Sequence, residues 1–155
     1  MFCVTTTRFN NNTFQENKRF RENNQLSCIY GTSLKIKENI PYKDKILVIE
    51  MNNQENKIMG IGLVENKIID DKSYKIYSDK VYNRYIYKGN NYISIETMDS
   101  NEKETVAMLE ALLFKGARHS KRAQGITVLP EWIQKHEKNF NLFINTLFKK
   151  YTNII

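Results

Sequence analysis

"KILVIEMNNQENKIMGIGLVEN", Lys45 to Asn66, decides the fold. Lys45 to Met51 is the clearest strand in the chain, a run of β-branched and aliphatic side chains. "NNQEN" follows as a turn and Lys57 to Asn66 as the return strand, so the stretch reads as a hairpin with a loop of about five residues. Gly60 and Gly62 alternate along the return strand. Glycines there imply a bend, or room for a neighbouring backbone or ligand. As "GIG" they lack the third glycine and the strand–glycine–helix setting of a dinucleotide site.

Working outward, "FCVTTT" (Phe2 to Thr7) is an opening strand. Thr13 and Glu16 fit a capping box, which starts a short helix near Phe14. That helix carries Lys18, Arg19 and Arg21, with Phe14 and Phe20 to anchor it, and "CIYGTS" is a second short strand ending at Gly31. On the other side, Tyr74 to Glu96 alternates aromatic or aliphatic residues with polar ones. It reads as three strands, near 74–77, 84–88 and 92–96, the last two joined at "KGNN". Six or seven strands with short turns, packed into the first 98 residues, predict a small barrel or a strongly curved sheet.

The remainder is helical. Asp99 and Glu102 are a capping signature for a helix whose apolar face is Val106, Leu109, Leu112 and Leu113, with Gly116 as its cap. "ITVL" is a short extended piece. Pro130 then opens a second helix through Tyr151, with Ile133, His136, Phe140, Phe143, Ile144 and Leu147 at helical spacing. The class is therefore α+β: a curved sheet or barrel with a short N-terminal helix and two C-terminal helices. With no linker, repeat or low-complexity tract, residues 1–155 form one domain, β-rich over 2–98 and helical over 99–155.

Composition narrows the function classes. At 41% apolar and 26% charged the chain is ordinary for a globular protein, and the abundance of Asn, Lys and Ile fits an AT-rich coding sequence. Cys3 and Cys28 form neither a disulfide framework nor a CxxC pair. They read as reduced core thiols of a cytoplasmic or nuclear protein. The N-terminus lacks a signal peptide's apolar core, and no apolar run is long enough to span a membrane. No metal site or cofactor is expected, since His119 and His136 lack ligand-spaced partners. His136 instead lies on the apolar face of its helix. Catalytic signatures are also missing: there is no nucleophile elbow. Glu50, Asp70, Asp71 and Lys72 are the acids and lysine a nuclease would use, but the strand-borne D…ExK pattern is absent, because Met51 and Asn52 follow Glu50.

Charge is the positive signal. The chain carries a net +7, distributed as eight Lys/Arg against five acids in residues 1–50, seven against seven in 51–100, and nine against five in 101–155. "KGARHSKRAQG" between the two C-terminal helices supplies Lys115, Arg118, His119, Lys121 and Arg122, with Ser120 and Gln124 as neutral hydrogen-bonders and no acid. Arginine forks and free loop amides suit phosphate oxygens, and Gly116 and Gly125 let the backbone come close. Lys18, Arg19 and Arg21 form a second basic group. In "YNRYIY", Arg84 stands among Tyr82, Tyr85 and Tyr87, aromatic faces of the kind on which bases stack. The expected role is nucleic-acid binding without catalysis, through Lys115 to Gln124, Arg19, Arg21, Arg84 and Tyr85. The alternatives are a structural module that docks a protein partner through the helix from Glu131 to Tyr151, and an enzyme acting on nucleic acid.

The order of elements resembles the PUA-like superfamily, which includes the EVE, ASCH and YTH domains. The resemblance is carried by "VTTTR" (Val4 to Arg8), "NKRFREN" (Asn17 to Asn23) and Ile40 to Asn66, and it covers roughly residues 2–96. It implies a small barrel that binds RNA or a modified base near its rim, with Thr5 to Thr7, Arg84 and the neighbouring tyrosines at that rim. "EMNN", "YNRYIYKG" and "LLFKGARHSKRAQGI" are also similar to segments of short uncharacterised proteins of large DNA viruses. That likeness implies a viral protein of the virion or the infected cell, and no activity.

Overall fold

The computed structural model describes residues 1–154. Among them the chain runs β1 (Cys3–Phe9), α1 (Asn11–Asn24), β2 (Cys28–Thr32), β3 (Lys45–Asn52), β4 (Lys57–Glu65), β5 (Tyr85–Gly89), β6 (Asn91–Ser94), α2 (Ser100–Phe114), β7 (Thr127–Val128), α3 (Glu131–Gln134) and α4 (Phe140–Thr152). Five strands form one sheet in the order β6-β4-β3-β1-β7, and β2 and β5 form a separate antiparallel ribbon. β1 lies parallel to β3, and every other ladder is antiparallel. No ladder among the described residues closes these strands into a barrel.

The β3–β4 hairpin is the middle of the fold, as its sequence predicts. β3 is buried from Ile46 to Asn52 because both faces of the sheet are covered. Leu47, Ile49 and Met51 pack into a core with Leu109 and Leu113 of α2 and Phe140, Ile144 and Leu147 of α4. Ile46 and Val48 point the other way, into a second core with Phe14 of α1 and Ile29, Tyr30, Ile86 and Tyr87 of the ribbon. Helices α2 and α4 therefore back one face, and α1 with the ribbon covers the other. The C-terminal part is not an appendage, since β7 pairs Thr127 and Val128 with Thr6 and Thr5 of β1.

Four local expectations are corrected. α1 begins at Asn11, not near Phe14: Asn10 is the cap, its side chain accepting from Thr13 N at 2.8 Å, and Thr13, the third residue of the helix, completes the capping box by accepting from Asn10 N. Residues 74–77 are not a strand. Asn83 supplies what a partner strand would, its Oδ1 accepting from Ile76 N and Tyr77 N and its Nδ2 donating to Tyr77 O.

β5 and β6 are not a hairpin; β5 pairs with β2 and β6 with β4. At Gly89 the chain leaves the ribbon for the sheet edge so close to β4 that a Cβ there would lie 1.7 Å from Leu63 O. The last helix is broken into α3 and α4. Lys138 N donates to His136 Nδ1, and Asn139, in the left-handed region at φ 46°, caps α4 by accepting from Leu142 N. An asparagine tolerates that conformation, and its side chain competes well for a helix start.

Candidate functional site

Arg8 organises the basic loop. β7 covers the outer edge of β1 only at Thr5 and Thr6. Beyond them the guanidinium of Arg8 takes over the work of a partner strand. One terminal nitrogen donates to Thr6 Oγ1 (2.9 Å) and Ser120 O (3.2 Å), the other to Thr6 O (3.1 Å), Gly125 O (2.7 Å) and Thr127 Oγ1 (3.0 Å). Burial pulls Arg8 down to about 10, so it remains charged at neutral pH. A planar fork with several fixed donors can span such a set of acceptors, where a point-like ammonium cannot.

The loop itself is pinned at further places. Ser120 N donates to Leu113 O at 2.7 Å, Asn53 Nδ2 to Lys121 O at 2.8 Å, and Lys121 Nζ to Asn56 Oδ1 at 2.8 Å. Lys121 N donates to His119 Nδ1. Gly116, at φ 82°, turns the chain out of α2. Arg118 lies over the Trp132 ring, 4.2 Å from its centroid. The outcome is a held backbone with Lys115, Arg118, Arg122 and Gln124 exposed and His119 and Lys121 half-buried.

Beside this loop lies a cavity of about 260 Å³. Its walls are Thr7 to Asn10 at the end of β1, Gly31 to Ser33 at the end of β2, Thr13, Asn53, Tyr77, Tyr82, and Ala123 to Gly125. The lining contains no His, Cys, Asp or Glu. Gly31 is required here, because a Cβ would lie 2.3 Å from Tyr82 O. Tyr77 and Tyr82 meet edge to face, with centroids 6.4 Å apart. Buried against the same region, Asn53 Oδ1 and Arg8 Nε have no hydrogen-bond partner among the described residues.

The basic residues named from the sequence separate into distinct places. Gln124 lines the cavity with its neighbours Ala123 and Gly125, whereas Lys115, Arg118, His119, Lys121 and Arg122 are not in its lining; Arg118 lies over Trp132 and Lys121 reaches Asn56. Arg84 is exposed over the Tyr85 ring at 5.8 Å, and Tyr85 is the ladder partner of Thr32 in the cavity wall. Arg19 is exposed on α1. Arg21 is 9% exposed, stacks on Tyr92 at 4.6 Å and lines a different cleft with Lys18 and Gln25. Thr5 and Thr6 are buried in the sheet, and only Thr7 reaches the cavity. Arg8 entered the sequence reading only as the end of "VTTTR". Its one local signal is a long cation placed in a β-branched strand.

Glu50 belongs to a closed network and not to a surface site. It is fully buried, and Tyr92 donates to its Oε1 at 2.7 Å and Tyr30 to its Oε2 at 2.9 Å. Burial pushes its carboxyl up, while the charge of Arg21 and the two phenol bonds pull it down. Gly60 and Gly62 make the network possible: a Cβ would lie 2.2 Å from Tyr92 Oη at Gly60 and 2.3 Å from Tyr30 Oη at Gly62. The room those glycines leave is filled by the protein's own phenols. Burial pushes the neighbouring Cys28 thiol up to about 12. Asp71 accepts from Tyr74 Oη at 2.7 Å. No three His, Cys, Asp or Glu side chains gather in a metal-binding group among the described residues.

On the C-terminal helices, Phe140 and Phe148 are buried and Trp132, Phe143 and Tyr151 half-buried, so the apolar face is packed on the sheet; Leu142 stays exposed. No described helix is long and apolar enough to cross a membrane. No known protein-family profile matches the sequence, and no curated protein matches it.

Proposed function

We propose that this protein is a non-catalytic nucleic-acid-binding domain. Its phosphate grip is the loop between α2 and α3, and the adjoining cavity receives a base. The observation that carries the reading is the anchoring of an acid-free basic loop by Arg8 beside that cavity. A loop held in place loses little further conformational freedom when it meets a polyanion, so more of the Coulomb attraction remains as affinity. The cavity, about 260 Å³, lies just below the usual range of small-molecule pockets of about 300–1,000 Å³, a size suited to one ring system.

In this reading the fold is an opened relative of the PUA-like barrels. The ribbon of β2 and β5 lies across β4, with Gly89 against Leu63 as in a barrel whose seam has no ladder.

The test is a fluorescence-anisotropy titration with labelled nucleic acid at several salt concentrations, wild type beside Arg118→Ala/Arg122→Ala. Binding should weaken with salt, and the double variant should flatten the log–log slope by about 1.4 to 1.8, at roughly 0.7 to 0.9 per phosphate contact. Absence of binding at low salt, or binding indifferent to the double variant, removes the loop from the function.

A further inference from the structure

The cavity mouth has a second cationic bank. Beside the Thr32 wall, the Tyr85 ring carries two cations, Lys35 Nζ at 5.5 Å and the Arg84 guanidinium at 5.8 Å from its centroid. Tyr85 pairs with Thr32, which lines the cavity, so these charges belong to the β2–β5 side of it, while Arg118 and Arg122 belong to the loop.

Exposed apolar side chains accompany these charges. Leu34 is 51% exposed, Val81 55% and Tyr82 44%. Tyr82 lines the cavity, and Leu34 adjoins its other wall, where a Cβ on Gly125 would lie 3.6 Å from Leu34 Cβ. Two acids of this region are engaged by backbone: Asp79 Oδ1 accepts from Val81 N, and Glu16 Oε2 from Ser78 N.

We propose that the ligand is a single strand, DNA or RNA, that crosses the mouth from one cationic bank to the other and lays its bases on Tyr82 and Leu34. This rests on the phosphate-binding reading above and adds the class of nucleic acid and three contact residues, Leu34, Lys35 and Tyr82. A duplex turns its phosphates outward and its base faces inward, so it satisfies the cations and leaves the apolar lip unmatched. A single strand offers both kinds of surface at once: phosphates for Lys35, Arg84, Arg118 and Arg122, and a π-face for Tyr82.

The experiment measures anisotropy with labelled oligo-dT, oligo-rU and a dT·dA duplex of equal length, each over a salt series. The proteins are the wild type, Tyr82→Ala, Leu34→Ala, Lys35→Ala/Arg84→Ala and Arg118→Ala/Arg122→Ala, each first shown to be folded by circular dichroism. The single strands should bind at least about tenfold tighter than the duplex. Tyr82→Ala should lose about 5- to 150-fold, the span for one stacked base. Lys35→Ala/Arg84→Ala should lower the salt slope by about 1.4, at about 0.7 for each phosphate on a single strand. Comparing dT with rU distinguishes DNA from RNA.

Duplex preference overturns the proposal. So does single-strand binding that falls with Arg118→Ala/Arg122→Ala but is untouched at Tyr82, Leu34, Lys35 and Arg84; that result leaves the loop as a phosphate site. Absence of binding to all three probes overturns the functional reading together with this one.

Discussion

Glu50 and Gly60 are partners across the β3–β4 ladder, and the space left by the missing side chain at Gly60 holds the Tyr92 phenol that donates to Glu50 Oε1 at 2.7 Å. Gly62 does the same for Tyr30 and Oε2. A buried acid on a central strand is costly unless its oxygens are satisfied. Here two glycines of the facing strand and two tyrosines from separate strands provide that satisfaction, with Arg21 supplying the opposing charge.

The first expectation concerns those glycines. Gly60→Ala places a methyl 2.2 Å from Tyr92 Oη and 2.8 Å from Ile93 O, and the backbone atom cannot rotate away. Overpacking of this kind costs about 1–3 kcal/mol. Urea unfolding should show a lower midpoint with an unchanged slope. Gly62→Ala should behave alike, by displacing Tyr30.

Glu50 also sets a pH dependence. Its folded-state affinity for a proton is raised, chiefly by burial. A raised carboxyl pKa means that the folded state holds the proton more tightly than the unfolded chain does. Stability from this group is therefore fully present below the unfolded value, about 4.3, and is lost as pH rises through the folded value. Glu50→Gln has no such proton to lose. The wild type should fall relative to Glu50→Gln as pH rises above about 4.3, then run parallel once Glu50 is ionised in both states. Urea midpoints of the two proteins across that range measure the difference.

How much of this was legible beforehand depends on the range of the interactions. The β3–β4 hairpin and the start of α2 are encoded locally, by a strand–turn–strand run and by Asp99 with Glu102, and both stand where the sequence puts them. The β5–β6 hairpin misled because alternation shows that two strands exist and says nothing of their partners. The actual partners lie far off in sequence, Cys28 to Thr32 for one and Gly60 to Leu63 for the other. The basic loop was visible as composition. Its anchor was not, because Arg8 is separated from Ser120 and Gly125 by more than a hundred residues, and long-range contacts, the β1–β7 pairing among them, bring them together.

The broken C-terminal helix gives an expectation of its own. Asn139 both holds φ at 46° and caps α4 through Leu142 N. Asn139→Ala should cost about 2 kcal/mol, from about 1 for the cap and about 1 for the left-handed backbone. Asn139→Gly keeps the left-handed conformation accessible and loses the side-chain cap, so it should cost about 1 kcal/mol or less. Thermal or urea unfolding of the pair separates the two contributions. Equal losses in both variants contradict the backbone argument.

Arg8 should act on the loop more than on the rest of the fold. Arg8→Met removes the donor for Ser120 O and Gly125 O, and an unsatisfied buried group costs about 1–3 kcal/mol. Hydrogen exchange should quicken across residues 115–125 while the amides of β3 and β4 keep their protection. Arg8→Lys should restore charge without restoring protection, because one ammonium cannot reach acceptors on both sides of the loop. Uniform loss of protection throughout the sheet would show that Arg8 supports the whole fold.

Trp132 provides a built-in reporter for the loop, because it is the only tryptophan and the Arg118 guanidinium lies 4.2 Å from its ring centroid. A phosphate that engages Arg118 changes the field and contacts at the indole, whether the guanidinium stays stacked or swings away. Titration with single-stranded nucleic acid should therefore shift or quench Trp132 emission in the wild type, with a midpoint equal to that from anisotropy. Arg118→Ala should abolish the emission change while leaving weakened anisotropy binding through Lys121 and Arg122. Raising salt from about 50 to about 200 mM should move both midpoints together, since one set of phosphate contacts underlies both signals. Emission that stays constant while anisotropy reports tight binding places the ligand elsewhere and removes Arg118 from its path.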